Sequence, residues 1–190
     1  MSPILGIYAS QITGHLNPFT PTGSYDALAT YTVPSGGVSE IIFSGLPTGG
    51  QYSHLQIRGI GYASGAGSNW YDAFMQFNSD TGSNYDYHAL DGNGTSASAA
   101  ASINRSNMIV GYFGGVNVSG MVIDVLDYAS SSKNKTVRAL TGLNQNNSND
   151  RGILLVSNLY RSTSPINSIR IFPSSGTISQ YTQFSVYGVK

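Results

Sequence analysis

The chain of 190 residues contains no cysteine. That one absence excludes disulfides, thiolate metal sites and a cysteine nucleophile, so stability has to come from packing or from association with other chains. Charge is nearly as scarce: 9% of residues are charged, nine Lys and Arg against nine Asp and Glu. With no basic footprint, neither nucleic acid nor an anionic membrane surface is expected as a partner. No Lys or Arg occurs before Arg58, and the apolar opening SPILGIYASQITGHL, residues 2–16, is interrupted by Gly6, Ser10 and Gln11. An export signal needs a basic start and a longer apolar stretch, so the opening is not expected to be one. No apolar run approaches the roughly 20 residues that span a bilayer, which predicts a soluble protein. Apolar repeats at helical spacing are also missing.

What is present is period-two alternation, with 23 Gly and 13 Tyr among many Ser, Thr and Asn. This is the composition of short strands joined by turns, with polar but uncharged faces. Strands are expected near residues 26–33, 38–44, 55–63, 70–78, 108–114, 120–129, 135–142, 152–160, 166–172 and 183–189. In the segment 120–129, Met121, Ile123 and Val125 alternate with Val122, Asp124, Leu126 and Tyr128, so a central strand covered on both sides is expected there. Ser35-Gly36-Gly37 is expected to join two strands as a tight hairpin, and Asn93-Gly94 is the strongest two-residue hairpin signal in the chain. Residues 91–107, small, polar and without period, are assigned to a surface excursion or an irregular edge, and residues 144–150 to a polar tip between strands. The expected fold is all-β: an antiparallel two-sheet β-sandwich of jelly-roll type. Residues 24–190 form that single domain, and residues 1–23 an extended N-terminal arm, set apart by Pro18, Pro21 and Gly23.

Groups that could carry chemistry are scattered. His15, His54 and His88 show no zinc-ligand spacing. Asp86 and His88 share one side of a strand at i, i+2, where a polar pair is commoner than a base with its orienting acid, and no G-x-S-x-G elbow accompanies them. Asp80, Asp86 and Asp91 could cluster oxygens around a calcium ion, but the EF-hand positions of glycine and glutamate are held by Ser96 and Ser102, and turn chemistry explains the same residues. Asp124 and Asp127 fall on opposite faces of a regular strand, so they do not converge as a glycosidase pair, and ion pairs with Lys133, Lys135 or Arg138 are the plainer account. Gly59, Gly61, Gly65 and Gly67 lack phosphate-loop spacing and are read as strand-end and turn glycines. No catalytic residue, metal site or cofactor is therefore expected. Trp70 and Tyr71, after the turn SGAGSN, are candidates for glycan stacking or for a subunit interface.

Several blocks taken together resemble a family of small structural proteins of tailed bacteriophages. They are YSHLQIRGIG (52–61), FMQFNSDTGSNYDYHALDGNG (74–94), VIDVLDYASSSKNKTVRALTG (122–142) and the ending ISQYTQFSVYGVK (178–190), with SPILGIYAS at the start. The resemblance implies a non-enzymatic virion surface protein, made in the host cytoplasm and not secreted. It further implies a homotrimer with a β-sandwich body, fixed by its N-terminus to the major capsid protein or another virion protein. Within that class a capsid decoration, or cement, protein is expected, since the chain is short and has no coiled-coil or collagen-like shaft. A tail-fibre or receptor-binding module touching host-surface glycans is the alternative. The anchoring residues expected in the arm are Ile4, Leu5, Ile7, Tyr8, Ile12 and Leu16, whose apolar side chains would gain order on docking.

Overall fold

The computed structural model of the chain describes residues 24–67, 69–144 and 151–190, which are all-β and contain no helix. The expected arm, with Ile4, Leu5, Ile7, Tyr8, Ile12 and Leu16, lies outside the described residues, as does most of the polar tip at 144–150. Fourteen strands are described: β1 (Tyr25–Thr32), β2 (Ile41–Ser44), β3 (His54–Gly61), β4 (Ala63–Ser64), β5 (Trp70–Phe77), β6 (Tyr85–Gly92), β7 (Ala97–Arg105) and β8 (Met108–Gly114), followed by β9 (Ser119–Leu126), β10 (Lys135–Asn144), β11 (Arg151–Tyr160), β12 (Ser168–Pro173), β13 (Thr177–Ile178) and β14 (Gln183–Val189). They form an eight-stranded sheet in the order β1-β14-β3-β9-β10-β11-β6-β7, a four-stranded sheet β2-β12-β5-β8, and the small pair β13-β4. Among the described residues the strands of these sheets pair antiparallel, and the two larger sheets stack like a sandwich.

Alternation explains why these segments are strands. Along β10 the side chains of Lys135, Val137, Ala139, Thr141 and Leu143 are buried while Thr136, Arg138, Leu140, Gly142 and Asn144 are exposed. The buried set of each strand meets the other sheet. Phe113 of β8 lies 6.1 Å, edge-on, from Phe184 of β14, and Phe77 of β5 lies 5.4 Å from Tyr160 of β11. Gly59 belongs to this layer because a side chain there would overlap the Phe184 ring. Fully buried Ile57, Ile123, Val137, Ile169 and Ile171 complete a core shared by both sheets, each such side chain contributing about 1.5–3 kcal/mol of burial.

Three expectations are corrected and one is narrowed. The turn at 35–37 is present, closed by Gly37 donating to Pro34 O at 3.2 Å, but it leads from one sheet to the other, because β1 pairs with β14 and β2 with β12. Of the two readings for residues 91–107 the edge holds and the excursion does not. These residues contain the end of β6 and the whole of β7, a nine-residue edge strand exposed at every position except Ser102. Asn93-Gly94 does turn this hairpin, with Asn93 Oδ1 accepting from the amides of Thr95 and Ser96. The segment expected at 55–63 is divided, β3 ending at Gly61 and β4 starting at Ala63. Finally, β9 is central in its sheet but covered on one side only: Met121, Ile123 and Val125 are buried, whereas Val122 is 40% exposed.

Candidate functional site

One face of the eight-stranded sheet rests on the core and the other is open among the described residues. Register fixes what lines up on the open face. Val122 of β9 stands opposite Leu140 of β10, Leu140 opposite Leu155 of β11, Leu155 opposite Leu90 of β6, and Leu90 opposite Ala99 of β7. These five residues make an apolar ridge across five strands. Two residues along each strand runs a parallel row in which Gly120 faces Gly142, Gly142 faces Ile153, and Ile153 faces Gly92. The three glycines leave hollows, since a Cβ at any of them would meet nothing within 4 Å. On the other side of the ridge lie Asp124, Arg138, Ser157 and His88.

Four shallow depressions open on this face, of about 460, 440, 390 and 330 Å³. The first two lie over Gly92, Gly142 and Ile153 and over Leu90, Leu155 and the Ala99–Ala101 stretch. Leu90, Leu140, Ile153 and Leu155 are 59, 51, 62 and 48% exposed, which is a contiguous patch rather than isolated surface apolars. A patch of this kind marks an interaction surface.

Electrostatically the face is quiet. Asp124 accepts from Gln56 Nε2 at 2.8 Å and lies 4.0 Å from Arg138. Asp127, in the turn after β9, pairs with Lys133 at 3.2 Å, so each acid has its own cationic partner. Lys135 takes no part: it is fully buried, with Nζ donating to the carbonyls of Ser130, Lys133 and Ser162. Burial pushes its pKa down, against the pull of Asp127.

The remaining candidate acids are each held by a different partner. Asp80 accepts from Gly82 N, Asn84 Nδ2 and Tyr160 Oη. Burial acts to raise its pKa, but those three bonds outweigh it and hold the carboxyl below the usual carboxylate range. Asp86 is clasped by both carboxylate oxygens to Arg161, which also reaches Asn104 Oδ1, and so is not left to orient His88. Asp91 accepts from Tyr112 Oη at 3.0 Å. Among the described residues no three His, Asp or Glu come together to hold a metal ion. His54 Nδ1 accepts from the Asp127 amide, while His88 stands exposed; His15 is outside the described residues.

Trp70 and Tyr71 begin β5 and, as neighbours on a strand, diverge. Tyr71 packs against the core and donates to Gly65 O at 2.9 Å. Trp70 instead sits 5.4 Å from Tyr112 of β8, the rings tilted by 53°. Asp72, opposite Tyr112 in register, has its pKa raised by burial, with Arg105 opposing in part. Burial, together with the bonded Asp91, also raises the Tyr112 phenol. Trp70, Asp72, Tyr112 and Asp91 thus form an aromatic and acidic cluster. The sequence pointed to Trp70 and missed the other three as its neighbours, because only the β5–β8 register and the bond from Tyr112 of β8 to Asp91 of β6 bring them together. The i, i+2 spacing of Trp70 and Asp72 was the available signal.

Comparison with protein-family models, with curated proteins and with solved structures finds no match to this chain.

Proposed function

We propose that the chain is a structural protein of a bacteriophage virion, a capsid decoration protein on the head surface that stabilises the shell and works without catalysis or cofactor. The observation that carries this reading is the broad, open, almost uncharged face of the eight-stranded sheet, built for contact with a macromolecule rather than for enclosing a small substrate. The fold supports it. Eight of the strands nest as β1-β14-β3-β9 above β2-β12-β5-β8, which is the order of two interleaved Greek keys in a jelly roll, with the β6–β7 and β10–β11 hairpins as additions to one sheet. Anchoring falls to the apolar segment at 2–16, which would dock on the major capsid protein or another virion protein by adding a strand or filling a groove. Many weak contacts of this kind sum through multivalency.

Deleting residues 1–20 tests the proposal. The truncated domain is expected to stay folded and to lose binding to undecorated heads; full occupancy by the truncated protein would sink the anchoring role. The aromatic and acidic cluster at Trp70 favours a second reading, a receptor-binding module of the tail. Aromatic faces next to carboxylates suit sugar rings and their hydroxyls. In that case Trp70→Ala abolishes binding to host-surface glycans, and a wild-type protein inert on a glycan array counts against it.

A further inference from the structure

The outer face of the four-stranded sheet, turned away from the core, carries rings and polar groups side by side. On β5, Ala73, Met75 and Phe77 belong to the core, which leaves Trp70, Asp72 and Phe74 on the opposite face. Register sets Tyr112 beside Asp72, Phe172 beside Phe74, and Arg170, two residues back on β12, opposite Gln76. The rings make two pairs: Trp70 with Tyr112 at 5.4 Å, and Phe74 with Phe172 at 5.7 Å, edge-on. All four residues are half-buried among the described residues, so part of each stays accessible.

Two polar groups among these rings have bonding capacity to spare. The Asp72 carboxyl accepts no hydrogen bond from any described residue, although its main chain is tied to Ser174. Burial raises its pKa, with Arg105 opposing in part, as befits a carboxyl without a donor. Arg170 lies over the Phe172 ring at 4.1 Å, held by Glu40 through Nε and by Gln76 Oε1 through Nη1 at 2.7 Å, and its Nη2 donates to no described residue. We propose that this face binds an uncharged, extended glycan, its sugar rings resting on the two aromatic pairs and its hydroxyls donating to Asp72 and accepting from Arg170. The inference rests on the glycan contact read above for Trp70 and extends it from one ring pair to a platform along β5.

Charge selects the class of ligand. Asp72 and Glu40 are balanced by Arg105 and Arg170, so the face favours neither an anion nor a cation. A protein partner fits less well, because the centre of a protein interface is depleted of charged groups and here a carboxyl stands between the ring pairs. A neutral sugar complements both kinds of group, with an apolar ring face for the aromatic side chains and a rim of hydroxyls that donate and accept. Spacing sets the length. Trp70 and Phe74 are four residues apart on one strand, about 13 Å, which is farther than a single sugar ring reaches. Both pairs are engaged only by a chain of several sugars.

Trp70 is the chain's only tryptophan, so its fluorescence reports on the site directly. The full chain is titrated with neutral hexasaccharides of glucose, galactose, mannose and N-acetylglucosamine, with the matching disaccharides and with an acidic hexauronate, and calorimetry is run in parallel. At least one neutral hexasaccharide is expected to shift the Trp70 emission and to bind about tenfold more tightly than its disaccharide. Phe74→Ala, at the far ring pair, should weaken that binding about tenfold. Asp72→Ala should weaken it as well and remain folded, since the carboxyl bonds nothing within the described chain; circular dichroism checks both variants. A wild type that binds none of the neutral hexasaccharides overturns the inference together with the glycan reading of Trp70. Binding that Trp70→Ala abolishes in calorimetry but Phe74→Ala and Asp72→Ala leave intact, or that gains nothing from disaccharide to hexasaccharide, overturns the platform alone. Preference for the hexauronate overturns the assignment to an uncharged ligand.

Discussion

The two faces of the eight-stranded sheet are made by the same strands and differ by one residue in phase. On β9, Ile123 is fully buried and its neighbour Val122 is 40% exposed. On β10, buried Val137, Ala139 and Leu143 alternate with exposed Arg138, Leu140 and Gly142. Both faces are rich in apolar residues, so hydrophobicity alone does not tell them apart. Space does. Inside, even a hydrogen atom's replacement is resisted: a Cβ on Gly111 would run into Thr141 Oγ1 and lie 2.8 Å from Met121 Sδ. Outside, a Cβ on Gly120, Gly142 or Gly92 would meet nothing. One face is finished by the chain itself; the other is left with ridges and hollows that no described residue fills.

The contrast is broken most severely at the core. Ile123→Ala is expected to cost about 3 kcal/mol, the usual loss for a large apolar side chain cut back in a packed interior, while Val122→Ala, one residue away, should change monomer stability by less than about 0.5 kcal/mol. Urea unfolding of the two variants at equal concentration measures both. Next come the glycines, where opposite signs are expected. Gly111→Ala should destabilise by about 1–3 kcal/mol through overpacking. Gly142→Ala should stabilise the isolated domain by about 0.5–1 kcal/mol, the ordinary cost of glycine within a strand.

The smallest effects are electrostatic and sharpen the same comparison of satisfied and unfinished groups. Asp80 has a folded-state pKa below its ordinary value of 3.8, so its stabilisation is present above that value and is lost as pH falls through the lower folded one. Asp72 has a folded-state pKa above 3.8, so its charge costs stability once pH rises past the ordinary value. Thermal melts should therefore show Asp80→Asn lowering the melting temperature at pH 7 and Asp72→Asn raising it. Below the folded pKa of Asp80 both differences should shrink towards zero. Equal and unchanging shifts at both pH values would mean that ionisation is not their source.

Legibility followed from whether a residue's neighbours were local. The segment 108–114 coincides with β8 and 183–189 with β14, since alternation on a half-buried strand is written in the strand itself. The segment 97–105 could not be read that way. Alanine and serine on both sides of β7 give no alternation, because neither side faces the core, and its strand character comes from pairing with β6. Lys135 read as a surface partner for the nearby acids, yet it is enclosed by three carbonyls, two from the turn after β9 and one, Ser162, from the segment after β11, which converge only in the folded chain. Trp70 stood out as the chain's single tryptophan, whereas its partners Tyr112 and Asp91 come from strands far along the sequence.

By itself, then, the sequence determined an all-β chain without disulfides, low in charge, with most strands and the Asn93-Gly94 turn placed, because period, composition and turn chemistry are properties of neighbours along the chain. Only the tertiary structure decided which apolar set faces the core, that Leu140, Leu155 and Leu90 stand in one row, and that three glycines form the hollows beside them. Those facts depend on the register between strands, which a single strand does not encode, since a shift of one residue would turn every side chain to the opposite face.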